Sequence, residues 1–143
     1  MTAAHRPPRG VLDTSVVTAL GQVSDPATLP IEPLITAVTL AELSVGPLVA
    51  TSDKTRAARQ AQLQQAEADF DPLPFDADAA RAFGQVAASL RRAGRKTQAR
   101  AFDAMIAATA IANDLPLFTC NPDDFHEIAA LDVRAVPPPA TAV

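Results

Sequence analysis

Five acidic residues of this 143-residue chain stand where an apolar stretch starts or stops: Asp13, Glu42, Asp103, Asp123 and Asp124. Asp13 closes "GVLD", Glu42 lies in "TLAELSVG", Asp103 opens "FDAMIAATAIA", and the last two follow "LPLFTCNP". Asp103 is the sharpest case, because Phe102, Met105, Ile106 and Ala107 leave little polar surface around it. An unpaired buried carboxylate costs several kcal/mol or takes up a proton. No Lys or Arg lies one turn further on to pair with it, and Arg100, the nearest, precedes the helix core. Several carboxylates on one rim also raise one another's pKa. A divalent cation relieves both penalties. The donors are all oxygen, with no histidine pair and no thiolate cluster, which favours Mg2+ or Mn2+ over zinc or copper.

Taken singly, each acid has an ordinary role. Asp13 reads as a turn residue, Glu42 as a solvated helix residue, and Asp123 and Asp124 as first-turn acids after Pro122. Asp103 reads as an acid favoured by its helix dipole by about 0.3–1 kcal/mol. The elements that carry them argue for a shared purpose. "GVLD" is a short strand, and "TSVVTAL" a helix that Thr14 or Ser15 caps. Pro33 to Val38 is a second apolar run. A helix then starts near Thr39, with Glu42 at its fourth position and a break or kink at Gly46-Pro47. "SDKTRAARQAQLQQAEADF" is a helix with Leu63, Ala66 and Phe70 on one stripe. "DPLPF" is a short strand or extended connection, and Phe83, Ala87 and Leu90 mark another helix. The helix at 102–112 is apolar on most of its circumference, hence buried, and stops near Asn113-Asp114. "LPLFT" is a strand, "CNPDDF" a turn into a short helix, and "VRAV" an edge strand. No internal repeat occurs.

Short apolar strands alternating with helices give an α/β sandwich with a mainly parallel sheet. In such sheets ligands bind beyond the carboxyl ends of the strands. Asp13, Glu42, Asn121, Asp123 and Asp124 all fall at that end. Asp103 joins them, because its helix runs down to the start of "LPLFT". No other acids have this relation to the strands.

Composition removes other classes. The chain is long enough for one domain, spanning 1–143 with Pro-rich tails at about 1–9 and 137–143. Cys120 is the single cysteine, so neither an intrachain disulfide nor a thiolate zinc cluster forms. His126 reads as a surface or capping residue, and His5, in a tail, has no evident role. No P-loop, G-x-G-x-x-G or G-x-S-x-G occurs, which removes nucleotide hydrolysis, dinucleotide chemistry and a serine elbow. "MTAAHRPPRG" lacks the apolar run of a secretory leader, and no window reaches membrane-span length, so a cytoplasmic protein is expected. The net charge of −4 argues against general coating of nucleic acid. With aromatics at 4%, base stacking is not expected to dominate any such binding. A local basic run, "RRAGRKTQAR", precedes Asp103. Arg91, Arg92, Arg95, Lys96 and Arg100 there are either a solvated face or phosphate contacts, with Gly94 letting the loop bend.

In order and spacing, "LDTSVV", "TAVTLAEL" and "DAMIAATAIANDLPLFTCNPDDF" resemble the PIN-domain family, in particular VapC-like toxin ribonucleases of toxin–antitoxin pairs. The resemblance spans essentially the whole chain. It implies a three-layer α/β/α sandwich and a metal-dependent endoribonuclease that hydrolyses RNA phosphodiester bonds. By motif position Asp13, Glu42 and Asp103 are its central acids. The fourth place, often Asp, is Asn121, a neutral ligand, with Asp124, or else Asp123, supplying the missing carboxylate. The implied ion is held by Asp13, Asp103, Asn121 and Asp124. Ser15 supports the site and Thr119 sits near Asn121, unless both hydroxyls merely cap their elements. The implied partners are RNA, a small antitoxin folded across the site, and a second copy of the chain. Apolar helix surface at Leu43, Val45, Leu48 and Leu63 is the place the sequence offers for protein contacts, or else part of the core. Two rivals differ in kind. Asn121 supports a catalytically inactive PIN-like module that works by binding a partner. A haloacid-dehalogenase-like phosphatase also starts with an Asp after a strand, but its pattern wants Asp where Ser15 stands.

Overall fold

The structure is a computed structural model that describes residues 6–139. Its sheet has four strands: β1 (Arg9–Leu12), β2 (Glu32–Leu34), β3 (Leu117–Thr119) and β4 (Val133–Ala135). They lie in the order β2-β1-β3-β4, and every pairing is parallel. Five helices surround them: α1 (Thr14–Ala19), α2 (Ala37–Leu48), α3 (Asp53–Asp69), α4 (Ala77–Arg92) and α5 (Ala101–Ala112).

The strand alternation explains the layers. Val11 pairs with Leu117 and Leu12 with Phe118. Successive side chains point to opposite faces. Val11 and Leu117 pack with Val86, Leu90, Ile106 and Phe125 on one face. Leu12 and Phe118 pack with Val16, Val17, Ile35 and Ala66 on the other. Helix α2 serves both, with Val38 in the first core and Leu43 in the second. Two cores on two faces make the expected α/β/α sandwich. Gly10 is set by this packing: a Cβ there would stand 2.8 Å from Phe118 Cδ1.

Helix α5 is as buried as its sequence demands, with Ala104, Ile106, Ala107, Ala108 and Ala110 fully enclosed. It ends where Asp114 takes a left-handed φ of 53°. There Leu115 N–H reaches Ala110 O at 2.9 Å and Asp114 N–H reaches Ile111 O at 3.0 Å. The same closure ends α4, where Gly94 adopts a φ of 77° and Arg95 N–H donates to Leu90 O at 2.8 Å. Both are Schellman motifs that satisfy otherwise orphaned carbonyls.

Several local expectations change. Helix α1 is capped by Asp13, which accepts from Val16 N–H, rather than by Thr14 or Ser15. Helix α2 begins at Ala37, not near Thr39, because Thr36 Oγ1 accepts from Thr39 N–H at 3.2 Å. The apolar run at 33–38 is thus half strand and half helix start, and Glu42 lies at the sixth helical position. Gly46-Pro47 does not break α2, which runs through the pair to Leu48. Pro47 sits in the last turn, where its missing N–H forfeits a single helical bond. Arg59 Nη1 also donates to Gly46 O at 3.0 Å. "DPLPF" is an extended connection whose Leu73 bridges Thr36.

The N-terminal tail does not extend to residue 9. Arg9 is in β1, and Pro7 O and Pro8 O accept from Ile31 and Glu32 N–H at 3.1 and 2.8 Å. Residues 1–5, with His5, and 140–143 lie outside the described residues. Of the four apolar positions offered for partner contacts, Leu43 is buried core and Leu63 packs against it. Val45 and Leu48 are exposed, and Val49 joins them. No helix among the described residues is long and apolar enough to cross a membrane.

Candidate active site

Asp13 directly follows β1 and is only 4% exposed. Burial raises its pKa, and four hydrogen bonds oppose that rise. Ser15 Oγ donates to Oδ1, Thr119 Oγ1 donates to Oδ2 at 2.6 Å, and Val16 N–H donates to Oδ1 at 3.2 Å. The fourth is a backbone bond from Ser15. The two hydroxyls are themselves fixed. Ser15 Oγ accepts from Cys120 N–H at 3.1 Å, and Thr119 Oγ1 from Asn121 N–H at 2.9 Å. Parallel pairing of β1 with β3 brings the segments following the two strands together, so residues 106 positions apart meet.

Glu42 is oriented by hydroxyls that sequence reasoning passed over. Thr14 Oγ1 donates to Glu42 Oε1 at 2.6 Å. Its only proton is then engaged, so the buried Thr39 hydroxyl is the donor in the 3.1 Å contact between Thr39 and Thr14. The available signal was placement. Thr14 adjoins Asp13, and Thr39 lies three residues before Glu42 on one helix face.

Asp103 lies in the first turn of α5 and has the most perturbed carboxyl of the set, pushed up to about 6. Burial is the largest cause, followed by the negative charges of Asp13, Asp124 and Glu42, with Arg100 opposing them. Four acids from distant parts of the chain thus share one electrostatic field. Among the described residues, however, no three His, Cys, Asp or Glu side chains are grouped closely enough to hold one ion as they lie. Asp13 has both oxygens in hydrogen bonds, Glu42 leans on Thr14, and Arg100 Nη1 draws Asp124 to 2.9 Å. The site has the surplus negative charge and hard oxygen donors that suit Mg2+ or Mn2+. Its carboxylates lean on protein partners instead of closing on a common centre.

Asp123 and Asp124 differ in their surroundings. The Asp123 side chain is 100% exposed and faces His126 at 3.9 Å. Asp124 is the one that acts on Asp103. Asn121 follows β3 with an exposed side chain and caps no helix with it.

The basic run is less free than its sequence implies. Arg95 is paired with Glu127 at 2.8 Å and Arg100 with Asp124 at 2.9 Å. Both tie the segment after α4 to the turn after β3. Arg91 and Lys96 are exposed, and Arg92 reaches Ser89 Oγ at 3.3 Å. A cleft of about 440 Å3 opens beside the acids, lined by Glu42, Gln98, Arg100, Phe102 and Asp103.

Comparison with known proteins shows the family. The PIN-domain family model matches residues 10–131. Over 131 residues the chain is 44% identical to Ribonuclease VapC5 of Mycobacterium tuberculosis, covering 90% of this chain and 92% of that protein. It is 28% identical over 130 residues to Ribonuclease VapC of Rickettsia bellii, covering 89% and 96%. A chain in the crystal structure of VapBC-5, from the VapBC family of toxin-antitoxin systems of Mycobacterium tuberculosis, superposes with a TM-score of 0.77 at 41% identity. That match covers 91% of this chain and 98% of that one. With its acids at the carboxyl ends of a parallel sheet and its sequence matched almost throughout, the chain belongs to the PIN-domain family and, within it, to the VapC ribonucleases.

Proposed function

We propose that the protein is the toxin of a toxin–antitoxin pair and hydrolyses RNA phosphodiester bonds at the acidic rim with Mg2+ or Mn2+. The observation that carries this reading is the Asp103 carboxyl, pushed up to about 6 by burial and by three neighbouring acids. Gathered carboxylates are relieved by a proton, a basic side chain or a metal cation, and this all-oxygen donor set suits a hard divalent ion. Asp13 and Asp103 would hold the ion, with Asn121 and Asp124 completing its oxygen donors. When bound, such an ion lowers the pKa of water and offsets charge developing on the phosphate.

The chain's own residues do the rest. Ser15 and Thr119 favour the charged form of Asp13 against its burial and fix its oxygens. The Thr39–Thr14 relay presents Glu42, whose free oxygen orients a water or accepts its proton. Arg100 offsets part of the acidic field. Asp124 restores the carboxylate that Asn121 lacks, which weakens the case for a catalytically inactive partner-binding module. The exposed Val45, Leu48 and Val49 are the apolar surface that a cognate antitoxin or a second copy would cover. A cytoplasmic site of action follows from the same reading.

The test is cleavage of mixed cellular RNA by purified protein with Mg2+ or Mn2+, with and without chelator, alongside Asp13→Asn and Asp103→Asn. Metal-dependent cleavage that disappears in both variants is the expected result. Cleavage in chelator, or equal cleavage by both variants, overturns the reading.

A further inference from the structure

We propose that the cleft beside Asp103 is a nucleotide subsite in which the ring of Phe102 stacks on an RNA base next to the scissile phosphate. The inference rests on the ribonuclease reading for the identity of the ligand, and on geometry for the role of the ring. A single exposed apolar residue means little by itself. Phe102 differs in where it stands. It is 50% exposed in the first turn of a helix whose other large apolar residues face the core, and it lines the same cleft as Glu42, Arg100 and Asp103.

The other aromatic rings are spoken for. Phe118 and Phe125 are buried, Phe70 packs against the second core, and Phe75 and Phe83 meet edge to face at 6.3 Å. Among the described residues, Phe102 is the aromatic side chain left facing solvent without a ring partner.

The charge of the cleft explains why an uncharged contact is needed there. Arg100, the basic residue on this wall, is engaged by Asp124 at 2.9 Å. Beyond a cation held by the acids, the wall of the cleft therefore has no uncommitted positive charge to offer a phosphate. Stacking on a base adds attraction that the acids do not oppose, and any base offers a face for it. Gln98 on the same wall offers both donor and acceptor to a base edge. The cleft volume of about 440 Å3 lies within the range of small-molecule pockets.

The chain contains no Trp or Tyr, so Phe102→Trp places a single indole reporter at the ring position. In an Asp13→Asn background that suppresses cleavage, the fluorescence of this variant is titrated with a single-stranded RNA decamer and with an abasic decamer of equal charge. Quenching by the base-bearing strand alone is expected. Equal quenching by both strands, or by neither, overturns the proposal. In the parent sequence, Phe102→Ala is expected to raise KM for single-stranded RNA roughly 5- to 150-fold while kcat changes less, with Phe102→Leu recovering only part of the loss. Unchanged KM in an active Phe102→Ala protein refutes the subsite and leaves the ribonuclease reading intact. If the parent chain cuts no RNA, that reading fails while the fluorescence titration still decides whether the ring meets bases. Sedimentation covers the other occupant: loss of self-association in Phe102→Ala without base-dependent quenching makes the ring a protein contact and overturns the proposal.

Discussion

Replacing Asp103 with Asn is expected to abolish cleavage and, at neutral pH without metal, to stabilise the fold. The Asp103 carboxyl rises from 3.8 to about 6 on folding, through burial and through Asp13, Asp124 and Glu42. A shift of roughly two pH units corresponds to about 3 kcal/mol, at about 1.4 kcal/mol per unit. Solvent on the open side of the cleft screens part of that, leaving roughly 1–2 kcal/mol. The folded state binds this proton more tightly than the unfolded state. The favourable contribution is therefore complete below about pH 4 and lost as pH rises through about 6. At pH 8 the variant should melt about 3–6 °C higher than the parent, and the gap should close below about pH 4. Thermal unfolding followed by circular dichroism across pH 4–8, in chelator, measures it. Added Mg2+ should raise the melting point of the parent more than that of the variant. A variant no more stable than the parent at pH 8, or a gap that ignores pH, would refute the claim that Asp103 is held at an electrostatic cost.

Other substitutions probe the supports. Thr119→Val removes the hydroxyl on Asp13 Oδ2 and the acceptor for Asn121 N–H. It should cost about 1–3 kcal/mol in chemical denaturation and move the acidic limb of the pH–activity profile upward, since Asp13 loses a bond that favours its charged form. Gly10→Ala forces a methyl group against Phe118 and should destabilise by about 1–3 kcal/mol, read from the urea midpoint. Neutralising Arg91 and Lys96 together should flatten the salt dependence of RNA binding, by a slope of about 0.7 for each phosphate that no longer meets a cation. Unchanged slopes would make the exposed basic residues a solvated face only.

The local sequence determined the elements wherever the pattern was one-dimensional. Apolar runs set β1 and β3, the all-apolar circumference made α5 internal, and the order of elements placed the acids at the carboxyl ends of a parallel sheet. Asp103 was legible for that reason, because a charge among methyl groups is conspicuous without coordinates. The start of α2 was harder to read. Val38 and Thr39 suit strand and helix alike, and the hydrogen bond at Thr36 decides between them.

Only the tertiary structure decided which groups meet. Thr119 reaches Asp13 from 106 residues away, Thr14 reaches Glu42 from 28, and Arg95 reaches Glu127 from 32. Two of the five basic residues in the run, Arg95 and Arg100, pair with Glu127 and Asp124, and Asp124 adds to the field at Asp103 while Asp123 faces solvent. Such pairings follow from how strands and loops from distant parts of the chain close on one another. The types of residue available for chemistry were written along the chain, and their partners were set by packing.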